Sequence, residues 1–186
     1  MKTVSSVYEA TVEVKRSKFL AVLLPYERFE SAREALRDTH PKANHIVYAW
    51  RYLNAFGQIV EQSSDDGEPK GCAGLPALRV LRGAELINVG VLIVRYFGGI
   101  KLGTGGMARA YAQAVQAVIA DAKLDDYYPQ QSYRFSSGYG DIRRIEYMLK
   151  QVGIASYERE FGNETVEWIV SADEAHISAL RGLMGD

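Results

Sequence analysis

The sequence predicts an α+β protein of two domains, and three observations predict it. Short Val- and Thr-rich segments of strand type interleave with segments of helical period along the first two thirds of the chain. A composition break, LDDYYP at Leu124–Pro129, separates that stretch from the rest. Beyond the break the order is strand, helix, strand, strand, helix, a ferredoxin-like split βαβ lacking its last strand. The expected domains are residues 1–125 and residues 126–186. With 186 residues, 47% of them apolar, the chain has the material for one large core or two small ones.

Val7–Val14 alternates and reads as a strand; Lys15–Lys18 is a polar turn, and Phe19–Leu24 is the return strand, stopped by Pro25. Arg28–Thr39 carries Phe29, Ala32, Ala35 and Leu36 at helical spacing before Pro41. Asn44–Tyr52 is a strand with Ile46, Tyr48, Trp50 and Tyr52 on one face and His45, Val47, Ala49 and Arg51 on the other. Asn54–Gly57 turns it, and Gln58–Gln62 pairs back. Ser63–Gly74 is too polar and glycine-rich for anything but a loop. Pro76 fits the first position of a helix, where its missing N–H is no loss, and Gly83 ends that helix. Val89–Phe97 is apolar on both faces, the mark of a central strand. Gly98–Gly106 holds five glycines in nine residues, and Thr104 is placed to cap the Ala-rich helix Met107–Ala122. In the second part Gln130–Ser137, Ile154–Phe161 and Thr165–Ser171 are strands. Asp141 and Asp173 cap helices over Asp141–Val152 and Glu174–Leu183.

Charge nearly cancels, with 22 Lys and Arg against 23 Asp and Glu. A uniformly basic coat for nucleic acid and an acidic disordered tail are both excluded. The balance is uneven, however. Residues 70–120 hold Lys70, Arg79, Arg82, Arg95, Lys101 and Arg109 against Glu85 alone. Such an excess attracts a polyanion if the side chains converge on one face. The single cysteine, Cys72, excludes an intrachain disulfide framework and a Cys-rich zinc site. The first twenty residues are too charged for a signal peptide, and no apolar run spans a bilayer. The expectation is a soluble cytoplasmic protein without a membrane partner.

Gly98–Gly106 lies between a strand and a helix start, where free N–H groups favour a phosphate. It is neither a P-loop, since Leu102 follows Lys101, nor a GxGxxG fingerprint. The alternative is a tight strand-to-helix turn. Asp65, Asp66 and Glu68 offer oxygens to Mg²⁺ or an acid–base pair, against the reading that they make a turn and cap backbone N–H groups. Arg95 must find a partner or reach solvent from its apolar strand. No Ser-His-Asp signature is present, and Cys72 has no neighbouring His in sequence.

SDDGEPKGCAGLP at Ser64–Pro76 and NVGVLIVRYFGGIKLGTGGMAR at Asn88–Arg109 resemble the signature of the Impact/YigZ family, and SKF at Ser17–Phe19 fits it too. Cys72 and Leu75 depart from the residues that pattern would have. The resemblance implies an N-terminal domain similar to domain IV of elongation factor G, a ribosomal-protein-like α+β fold with a left-handed crossover. It implies a ferredoxin-like C-terminal domain similar to domain V. Small-molecule kinases of the same N-terminal fold hold phosphates at a glycine-rich helix start. Eukaryotic members regulate translation by competing for a partner of a stress kinase.

The expected function is therefore a non-enzymatic, regulatory binding module contacting RNA or the translation machinery. No cofactor and no catalytic residue is expected. The anion-binding candidates are Arg79, Arg82, Arg95, Lys101, Thr104, Gly105 and Arg109. Two alternatives stay open: an enzyme that binds a phosphate-bearing substrate at Gly98–Gly106, and a protein-partner regulator that uses the sheet face of Trp50 and Tyr52.

Overall fold

The computed structural model describes residues 1–185 and divides the chain into two units, Met1–Tyr127 and the residues from Tyr128 onward. The first unit runs β1 (Lys2–Thr3), β2 (Tyr8–Val14), β3 (Ser17–Pro25), α1 (Phe29–Thr39), β4 (His45–Leu53), β5 (Ile59–Ser64), α2 (Gly74–Gly83), β6 (Val89–Tyr96), α3 (Gly103–Asp121) and β7 (Asp125–Asp126). The second runs β8 (Gln131–Gly138), α4 (Ile142–Gln151), β9 (Tyr157–Phe161), β10 (Thr165–Ala172) and α5 (Glu174–Met184).

The first unit is built on a five-stranded sheet of order β2-β3-β6-β4-β5, every neighbouring pair antiparallel. The central β6 is buried along nearly its whole length because helices cover both faces. Ala21, Leu23, Val47, Ala49, Val91 and Ile93 face α2 and α3. Val22, Leu24, Ile46, Tyr48, Leu92 and Val94 face α1 through Phe29. This alternation follows from the period of two along a strand.

The topology carries a consequence for handedness. β3 and β4 are parallel across β6, and so are β5 and β6 across β4, but the two pairs run in opposite directions and step in opposite directions across the sheet. Two such crossovers have the same hand only when their helices share a face. Here α1 and α2 lie on opposite faces, so one of the two is left-handed, against the strong right-handed default.

β7 pairs with β1, and Tyr127 N donates to the Met1 carbonyl, which ties residues 125–127 to the first unit. In the second unit β10 lies between β8 and β9, all antiparallel, the split βαβ arrangement. Trp168, Val166 and Val170 of β10 pack under Ile145 and Leu149 of α4 and Ile177 and Leu180 of α5.

Three helix starts differ from the sequence reading. α2 begins at Gly74, so Pro76 is its third residue; its first N–H groups are satisfied from outside the helix, as described below. α3 begins at Gly103 with Leu102 at the N-cap, so Thr104 sits inside the first turn and caps nothing. Asp141 occupies the N-cap of α4 but its side chain accepts no capping bond, whereas Asp173 accepts from His176 N at the start of α5. β6 ends one residue early because Phe97 N turns away to the Asn44 side chain.

Candidate anion site under the glycine turn

The sheet register sets one row of side chains. Phe19 of β3 pairs with Arg95 of β6, and His45 of β4 pairs with the same Arg95. All three therefore project toward α3. An arginine in that position is desolvated, and Arg95 is only 6% exposed. Its charge is met by Glu68, whose Oε1 accepts from Arg95 Nη1 and from the Tyr111 hydroxyl at 2.7 Å. The guanidinium is packed between the Phe19 and Phe97 rings, at 5.5 and 5.8 Å from their centroids. Its Nη1 also reaches the Met107 sulfur at 3.4 Å. Burial first, and then the hydrogen bond to Glu68, hold the Tyr111 phenol far above its ordinary ionisation range.

Glu68 is brought there by the loop between β5 and α2, and the two aspartates before it build that loop. Asp65 accepts from Gly71 N at 2.7 Å, Ala73 N at 3.0 Å and Gly74 N at 2.9 Å, which satisfies the start of α2. Asp66 accepts from Ile46 N at 2.7 Å, anchoring the loop on β4. The three carboxylates thus point to three different sets of donors and share no common point. Among the described residues no group of three His, Cys, Asp or Glu side chains is placed to hold a metal ion.

His45 is oriented by the same loop. Its Nδ1 lies 2.7 Å from the Asp66 carbonyl oxygen, which only accepts, so Nδ1 carries a proton. Nε2 is left facing Glu68 Oε2 at 3.8 Å, beyond hydrogen-bond range.

These groups line one side of a cavity of about 490 Å³. The other side is the glycine turn and the first turn of α3, with Lys101, Gly103, Thr104 and Met107. Of the anion-binding candidates, the fold brings Arg95, Lys101 and Thr104 together here. It takes the others elsewhere. Arg79 and Arg109 line a separate groove of about 680 Å³ between α2 and α3, floored by Val80, Ala112 and Ile119. Gly105 is exposed and lies nearest the Arg109 guanidinium. Arg82 is paired with Glu61, which Arg51 also holds at 2.9 Å. Thr104 and Arg109 are separated by more than a quarter turn of α3, so the basic residues of the segment do not form one face.

The sequence reading has His45 as a strand side chain satisfied by a neighbour, as its bond to the Asp66 carbonyl shows, but does not place it at the site, and it misses the joining of Glu68 to Arg95 and Tyr111. One signal was present: an arginine inside an apolar strand requires a buried acid, and the carboxylates of Asp65–Glu68 are the nearest cluster in the chain. The aromatic face is partly closed. Tyr26 stacks on Tyr52 at 4.4 Å, and Trp50 packs beside both.

Comparison with known proteins bears on these residues. A family model described as the Impact N-terminal domain matches residues 15–119, which include every group around the cavity. The chain is 34% identical over 142 residues to the IMPACT family member YigZ of Escherichia coli, covering 75% of this chain and 70% of that protein. A crystal structure described as that of a hypothetical protein superposes with a TM-score of 0.73 at 28% identity, covering 100% of this chain and 91% of the other. The structure of Yih1, described as a two-domain translational regulator, matches at 27% identity with a TM-score of 0.38, over 62% of this chain and 45% of its own.

Proposed function

This chain belongs to the Impact family, and from that premise we propose that it is a regulatory binding module of the translation apparatus, with RNA as the ligand of the cavity under the glycine turn. The regulatory part of this reading follows what the family resemblance implies for eukaryotic members. The RNA part rests on one observation: Arg95, Lys101 and the first turn of α3 converge on one cavity. A helix start supplies N–H groups that no residue of the helix can satisfy, and a nearby lysine adds a full positive charge. That combination suits a phosphate of a single strand, and Phe97, 47% exposed at the rim, offers a ring for a base to stack on. No described helix is long and apolar enough to cross a membrane, and a cytoplasmic setting fits the reading.

The test is fluorescence anisotropy of a short single-stranded RNA over a salt series. Each phosphate contact contributes about −0.7 to the slope of log K against log salt. Lys101→Ala should flatten the slope by roughly that amount and weaken all RNA sequences alike. Absence of binding at low salt would overturn the RNA reading.

A second reading, a protein-partner surface, is favoured by the groove between α2 and α3. It is apolar along its floor with Arg79 and Arg109 beside it and no carboxylate lining it.

A further inference from the structure

The cavity has two chemically different ends. One is cationic and rich in donors: Lys101 and the first turn of α3. The other is an acceptor pair. Glu68 has a side chain only 4% exposed, and both of its donors, Arg95 and Tyr111, go to Oε1. Its Oε2 makes no hydrogen bond; its nearest polar neighbour is His45 Nε2 at 3.8 Å. His45 Nδ1 is committed to the Asp66 carbonyl, so in the neutral ring Nε2 is a bare lone pair. Two acceptors, one of them on a nearly buried carboxylate, are thus left without a donor on the cavity wall.

Oε2 is not among the buried polar atoms that lack a partner, so it opens to the cavity, where a ligand hydroxyl can reach it. We propose, building on the reading of the cavity as an RNA site, that it selects ribose: the phosphate lies at the Lys101 and α3 end and the 2′-hydroxyl shares its one proton between Glu68 Oε2 and His45 Nε2 in a three-centre bond. A ligand with an anionic group and a neighbouring hydroxyl donor matches both ends at once. Deoxyribose lacks the donor, and a phosphate alone leaves the acceptor pair unmet. The 2′-hydroxyl is the group by which a protein separates RNA from DNA at a single site. Arg95 keeps the Glu68 charge compensated, so the carboxylate accepts from a neutral hydroxyl without repelling the phosphate from the cavity as a whole.

The experiment measures anisotropy with three oligonucleotides of one sequence: RNA, DNA and 2′-O-methyl RNA. The wild type should bind RNA about ten-fold more tightly than the other two, the size of one hydrogen bond to a charged acceptor. The methylated strand retains the sugar's ribo character but has lost the donor. In His45→Ala the RNA-to-DNA ratio should fall but stay above one, because Glu68 Oε2 remains as the acceptor. In Lys101→Ala both affinities should drop and the ratio should persist. If His45→Ala does not fold, the wild-type comparison of RNA with 2′-O-methyl RNA decides alone. Equal binding of all three strands would overturn ribose selection while leaving the anion site standing. No binding of any strand at low salt would overturn the RNA reading on which the inference rests.

Discussion

Glu68, in the loop before α2, accepts a hydrogen bond from the hydroxyl of Tyr111 on α3 at 2.7 Å, and the same oxygen accepts from Arg95 on β6. One carboxylate oxygen thereby joins the loop, the central strand and the long helix. Removing the carboxylate leaves Arg95 buried and unpaired. Glu68→Ala should cost about 3–5 kcal/mol in chemical denaturation. Tyr111→Phe keeps the ion pair and removes one bond to a charged acceptor, for about 1.5–3 kcal/mol. If Glu68→Ala costs no more than Tyr111→Phe, the loop is not held by this contact.

The same pair sets a pH dependence. The Tyr111 phenol is held far above its ordinary value, by burial first and by Glu68 second. Its contribution to stability is complete below the unfolded value of about 10 and is lost as pH rises, because only the unfolded chain then releases the proton. Thermal melts from pH 8 to 11 should show stability falling above pH 10. Tyr111→Phe should reduce that fall; an unchanged profile would remove Tyr111 as its source.

Glu61 produces the opposite dependence. The hydrogen bond from Arg82 is the first cause, with Arg51 adding to it, that holds its carboxyl below the ordinary value. A depressed carboxylate contributes stability above its unfolded value, about 4.3, and loses it as pH falls through the folded value. Melts across the acid range should show a loss that is smaller in Glu61→Gln, most clearly below pH 4. Parallel profiles for the two proteins would count against it.

Asp65 is the cap of α2 although it lies outside the helix. It accepts from Ala73 N and Gly74 N at that helix start and from Gly71 N in the loop just before it. Asp65→Ala should destabilise the protein by roughly 1–2 kcal/mol, the range of a lost cap. A shift in the urea midpoint with an unchanged m-value is the expected signature.

The glycine turn separates into positions the fold demands and one it does not. A Cβ on Gly98 would stand 2.1 Å from the Arg16 carbonyl carbon, a backbone atom with no freedom to move aside. Gly98→Ala should therefore cost about 3 kcal/mol, as strong overpacking does. At Gly105 a Cβ would meet only the Arg109 guanidinium, at 3.6 Å. Gly105→Ala should be neutral or stabilising by up to about 1 kcal/mol, since alanine suits the helix better. Equal effects at the two positions, read by thermal melting, would refute the distinction.

The α+β class and most of the strands and helices followed from local pattern alone. Alternation in Tyr8–Val14 and His45–Leu53 and helical spacing in Phe29–Thr39 are properties of neighbours in the chain, so periodicity reveals them. The RYFGG and LGTGG runs carried the family likeness for the same reason. Helix starts were less legible: Asp65 caps α2 from nine residues before Gly74, and no local rule for Pro76 contains that contact. The site itself was decided only by the tertiary structure. Which strand lies beside β6 sets Phe19 and His45 next to Arg95, and that order is a matter of sheet topology. The seven anion-binding candidates looked like one group because they are close in sequence. On α3 a helix turns its residues through 100° each, so Thr104 and Arg109 face apart, while the sheet buries Arg95 against Glu68 and Glu61 takes Arg82. Charge can be counted along a chain, but whether two charges meet depends on the geometry that carries them through space.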